Sequence, residues 1–119
     1  MDVIDTRDLG FQSGFDLRAY LVPDVEVDPM SNGDYSEEDI DAWRRGDWHY
    51  VHVVLTASRD GVELGSASLA GCEYGWFPNS KKLVTPLDGN GPAFANGYGP
   101  TLVDEAIANA RETISHINR

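Results

Sequence analysis

Residues 48–70 read WHYVHVVLTASRDGVELGSASLA, and this stretch decides the fold. Two runs rich in β-branched and aromatic residues flank Asp60-Gly61. Asp-Gly between such runs marks a tight hairpin, because a type I′ turn needs positive φ at both central positions. In the first run Val51, Val53, Leu55 and Ala57 fall on one face, and Trp48, Tyr50, His52, Val54 and Thr56 on the other. After the turn Val62 and Leu64 share a phase that Ala67 and Leu69 reverse. Gly65 between them predicts a β-bulge that re-aims the strand.

Working outward, residues 15–22 alternate again, with Phe15, Leu17, Ala19 and Leu21 on one side. They predict a half-buried strand that Pro23 ends. Residues 1–14 show no period and predict a loosely held arm. A short helix is signalled after Ser36. Ser36 and Asp39 stand in capping-box positions, Tyr35 and Ile40 in staple positions, and acids fill the first turn. Arg44 and Arg45 fall in the last turn, and Gly46 is the stop. Ile40 and Trp43 are its predicted anchors. Residues 73–77 suggest a further short strand. Residues 78–99 hold four glycines and three prolines and predict a long loop packed by its own side chains. Val103, Ala106, Ile107, Ala110, Ile114 and Ile117 then repeat at helical spacing. The expectation is one α+β domain over residues 1–119. It would hold an antiparallel sheet of three to four strands, a C-terminal helix on one face, and a short helix in the N-terminal half.

The 119 residues carry a net charge of −11, divided as −8 over residues 1–45 and −3 over residues 46–119. Such a field opposes nucleic acid and anionic membranes and favours basic partners. The single cysteine, Cys72, excludes an intramolecular disulfide. With no signal-peptide pattern and no apolar run of spanning length, the expected location is cytoplasmic.

Chemical motifs are few. His49 and His52, three apart on a strand, point to opposite faces and cannot chelate together, so no metal is expected. Residues 28–39 mimic a calcium loop, but Met30 stands where an oxygen ligand is required and Asp39 replaces the bidentate glutamate. The glycines at 89–99 fit neither a Walker nor a dinucleotide pattern. No catalytic residue and no cofactor are assigned.

Two candidate binding surfaces stand out. One is acidic: Asp24, Glu26, Asp28, Asp34, Glu37, Glu38 and Asp41, in a stretch without Lys or Arg. Part of that charge serves the helix start. The other is the aromatic sheet face of Tyr20, Trp48, Tyr50 and His52, which loop 78–99 is expected to cover unless it is a protein-binding patch.

The runs WRRGDWHYV at 43–51, SRDGVELG at 58–65, GWFP at 75–78 and PLDGNGPAFANGYG at 86–99 resemble small acidic proteins of actinobacteria and their phages. The likeness spans residues 43–99 as a whole segment and brings no catalytic residue with it. It implies a phage or mobile-element setting, where small acidic proteins act by binding host machinery. The leading expectation is therefore a non-enzymatic binding protein, in one form a DNA-mimic inhibitor, whose acidic surface engages a basic, nucleic-acid-handling protein. The alternatives are a small enzyme or ligand-binding domain using loop 78–99 and His52, and a homo-oligomeric structural protein.

Overall fold

The computed structural model describes residues 2–31, 33–89 and 94–117. Four strands run as an antiparallel meander in chain order: β1 (Asp5–Gln12), β2 (Phe15–Pro23), β3 (Trp48–Arg59) and β4 (Val62–Gly75). Helix α1 (Glu37–Arg44) lies in the connection from β2 to β3, and helix α2 (Gly99–Ile117) closes the chain. The architecture is α+β, with α2 packed on one face of the sheet.

Both hairpins turn through two residues with positive φ. At Asp60 and Gly61 the values are 53° and 79°, and at Ser13 and Gly14 they are 56° and 89°. The second hairpin replaces the predicted arm: residues 5–12 are paired to β2 as an edge strand. Its register slips between Asp8 and Gly10, and most of its side chains are exposed on both faces. An edge strand with a bulge has no buried face to enforce alternation, so the period-two signal is absent.

The bulge expected at Gly65 is present, since Ser58 faces Glu63 while Ala57 faces Gly65. A second one was not foreseen. Val51 pairs with Cys72 and Val53 with Leu69, which leaves Ala70 and Gly71 opposite His52, with Gly71 at φ +69°. Strand β4 continues through this bulge to Gly75, so no separate strand forms at 73–77.

The main core lies between the sheet and α2. Phe15, Leu17, Ala19 and Leu21 of β2 and Val51, Val53, Leu55 and Ala57 of β3 meet Leu102, Ala106, Ile107 and Ala110 of α2. The helix comes close enough to β4 that a Cβ on Gly65 would stand 2.3 Å from the Ala110 nitrogen. The Asn109 side chain donates 2.8 Å to the Ser66 carbonyl beside that contact. Ile117 lies past the sheet and is exposed.

Residues 85–89 and 94–98 cover the β1–β2 side of this same face. Leu87, Phe94 and Ala95 are buried in the main core. Arg7 Nη1 donates to the Leu87 carbonyl at 2.7 Å, and its guanidinium lies 5.6 Å from the Phe94 ring centre. Residues 90–93 of the predicted loop lie outside the described residues. The opposite face of the sheet carries a second, aromatic core under α1.

Candidate protein-binding surface

The connection from β2 to β3 forms a lobe over the outer face of the sheet. Ser36 opens α1 as expected: its Oγ accepts from Asp39 N at 3.2 Å, and Asp39 Oδ2 accepts from Ser36 N at 3.4 Å. Glu37, Glu38 and Asp39 occupy the first turn, where the helix dipole stabilises negative charge. Ala42 is buried and Trp43 half-buried against the aromatic core. Ile40 is not an anchor. It lies in a shallow outward groove with Glu37, Asp41 and Arg44.

The predicted acids divide into two groups. Glu26, Asp34, Glu37, Glu38 and Asp41 are exposed on the lobe. Asp41 pairs with Arg44 at 3.4 Å and Arg45 with Asp47 at 3.1 Å, so the helix arginines answer acids on and next to their own helix. Asp28 is half-buried, and its Oδ1 accepts from Met30 N at 2.9 Å to open the 3-10 turn Pro29–Ser31. Asp24 is only 6% exposed and leaves the partner surface altogether. Its Oδ2 reaches across β3, accepts from Gly71 N at 3.0 Å and faces His52 Nε2 at 3.4 Å. A buried carboxylate needs such partners. Asp24 thus ties the end of β2 to the second bulge of β4.

The aromatic face is closed by Tyr35 and Phe77, and not by the described residues of loop 78–99. Trp48 and Tyr50 are buried. Tyr35 of the lobe stacks on Trp48 at 5.2 Å, and Phe77 stacks at 4.4 Å from the other side. Tyr50 meets Trp48 edge-on at 5.3 Å. Trp48 Nε1 donates to the Asp39 carbonyl at 2.8 Å, which fixes α1 over the indole. The Tyr35 hydroxyl donates to the Glu73 carboxylate. The Tyr50 hydroxyl, buried beside that of Tyr35, makes no hydrogen bond of ordinary geometry among the described residues. Burial pushes both phenols above their ordinary range, and the Glu73 carboxylate raises them further. Burial also raises Tyr20, helped by Glu63. Of the four face residues only Tyr20, half-buried, and His52, with a side chain 37% exposed, stay within reach of solvent.

His52 lies on the outer face of the sheet, whereas Leu87, Phe94 and Ala95 of loop 78–99 are buried in the core on the other face. Neither cleft described below includes His52. Cys72 lies in the main core, its thiol pushed up to about 11 by burial, with Asp24 and Glu73 adding to the shift. Such a thiol carries almost no thiolate at neutral pH. Among the described residues no three His, Cys, Asp or Glu side chains gather as a metal site. No helix among them is long and apolar enough to cross a membrane.

Two clefts accompany these features. One, of about 370 Å³, opens at the end of the sheet between Val25, Val27, Trp43 and His49. The other, of about 350 Å³, lies between β1 and the start of α2, with Arg7, Gln12, Phe94 and Val103 in its walls. No protein-family model, curated protein or solved structure matches the chain.

Proposed function

We propose that this chain is a non-enzymatic binding protein that presents the acidic lobe to a basic protein surface. The partner class is a nucleic-acid-handling protein of the host cell. The mode is that of a phage-type, DNA-mimic inhibitor that occupies the surface meant for phosphates, inside the cytoplasm. One observation carries the reading. Glu26, Asp34, Glu37, Glu38 and Asp41 all stand exposed on one lobe, while the lobe's inward side chains are spent on packing over Trp48. The lobe therefore offers a partner carboxylates on a held framework, and complementary fields of this kind set both partner choice and association rate.

The test is capture of basic proteins from an actinobacterial lysate on the immobilised chain, repeated at high salt and with competing duplex DNA. Retained proteins are expected to bind nucleic acid, to elute with salt, and to be displaced by the duplex. The triple reversal Glu37→Lys/Glu38→Lys/Asp41→Lys should abolish retention. Capture that ignores salt and survives the triple reversal would overturn the proposal.

A further inference from the structure

We infer that the cleft beside α1 receives an arginine side chain of the basic partner, so that the acidic lobe steers and this cleft anchors. The inference rests on the binding reading above and adds the identity of the anchoring group.

At about 370 Å³ the cleft is at the low end of the range for small-ligand sites. It accommodates one side chain and is too small for a helix or a strand. Pro23, Val25 and Val27 supply apolar wall for a methylene stem. Trp43, half-buried on α1, supplies an indole, the best aromatic surface for a planar cation. No lysine or arginine lines the cleft and His49 is its basic wall residue, while the wall carboxylate Asp24, buried and already held by Gly71 N and His52, lends the cleft its field and no direct contact. Exposed Glu26 stands between the two lining valines. The cations next to Trp43 in sequence, Arg44 and Arg45, are drawn away by Asp41 and Asp47. The site is thus apolar along its depth, aromatic on one side and negative in its surroundings. A guanidinium on a flexible stem matches all three, and Arg and Trp are both among the side chains most enriched where interfaces concentrate their binding energy. A lysine satisfies the charge but cannot stack, and an apolar side chain satisfies the walls but ignores the field.

The experiment titrates the ¹⁵N-labelled full chain, at low salt, with three acetylated and amidated pentapeptides. Lys-Lys-Arg-Lys-Lys carries the anchor, Lys-Lys-Lys-Lys-Lys has the same charge, and the peptide with central citrulline has the same shape without the central charge. The arginine peptide should bind about tenfold more tightly than the other two, the difference expected of one desolvated cation–aromatic contact. It alone should move the Trp43 indole N–H signal. Trp43→Ala removes packing as well as the site, so the decisive variant is Val25→Lys. That side chain is 90% exposed and its replacement leaves the fold intact. Val25→Lys should erase the arginine preference, whereas Glu37→Lys/Glu38→Lys should weaken all three peptides together. Equal affinities with an unmoved Trp43 signal, and a response confined to Glu37 and Glu38, would overturn the anchor and leave the acidic reading standing. An arginine preference untouched by Val25→Lys would also overturn the anchor. No binding by any peptide would overturn both.

Discussion

Replacing Gly65 by alanine tests the packing of α2 on β4 through its sign. Gly65 has an ordinary strand conformation, so backbone entropy alone predicts that alanine stabilises the strand by about 0.5–1 kcal/mol. The added Cβ, however, would stand 2.3 Å from Ala110 N, 2.4 Å from Ala106 O and 2.8 Å from Ala110 Cα, where ordinary contact begins at 3.4 Å. All three obstacles are helix backbone, which cannot swing aside as a side chain would. The helix must lift by about 1 Å, loosening Leu102, Ala106, Ile107 and Ala110 from the core at the roughly 1–3 kcal/mol typical of overpacking. The net expectation is a destabilisation of about 1–2 kcal/mol, or a urea midpoint lower by about 1 M for a domain of this size. Equilibrium unfolding followed by circular dichroism reads this directly. A midpoint that rises or stays put at constant m would refute the close approach.

Two further outcomes follow from the buried polar groups. Tyr35 and Tyr50 hold their protons more tightly folded than unfolded, so the stability they contribute is complete below about pH 10 and is lost as pH climbs toward their folded values. Urea midpoints should fall steeply above that pH, and the tyrosinate absorbance of the native chain should lag behind that of five free tyrosines; five ordinary titrations with a flat midpoint would contradict the buried cluster. Asp24→Ala removes the acceptor of Gly71 N and should cost about 1–3 kcal/mol with faster amide exchange at Gly71, while Asp24→Asn keeps an acceptor oxygen and costs less; equal effects would mean that charge, and not the hydrogen bond, holds the bulge.

Features carried by local chemistry were legible in the amino-acid order. Asp60-Gly61, the Ser36 cap, the Gly65 bulge and the helical repeat from Val103 to Ile114 each announce themselves within a few residues. What escaped depends on partners distant in sequence. Strand β1 has little buried face, and its only signal was the Ser13-Gly14 turn between Phe11 and Phe15. Asp24 reads as one acid among eight until Gly71, 47 residues on, claims it. The cover over Trp48 could have been sought in Tyr35 and Phe77, which stand on either side of β3 in sequence; no periodicity ties a ring in a connection to a ring on a strand. Residues 85–89 and 94–98 went to the α2 side because Leu87 and Phe94 complete a face that a single helix over β3 and β4 leaves bare at β1 and β2.

The lobe's position between β2 and β3 has a consequence for the order in which the molecule opens. The two hairpins and α2 share one core, whereas the lobe is held by Ala42, the rings around Trp48, the bond from its indole to Asp39 and the bond from the Tyr35 hydroxyl to Glu73. Segments joined by so few buried groups open as cooperative units below the global unfolding free energy. Amide protons of α1 should therefore exchange through a partial opening that leaves the meander intact, ahead of those of β2 and β3. In that partly open form the acidic helix would swing out and leave Phe77 as the ring still stacked on Trp48.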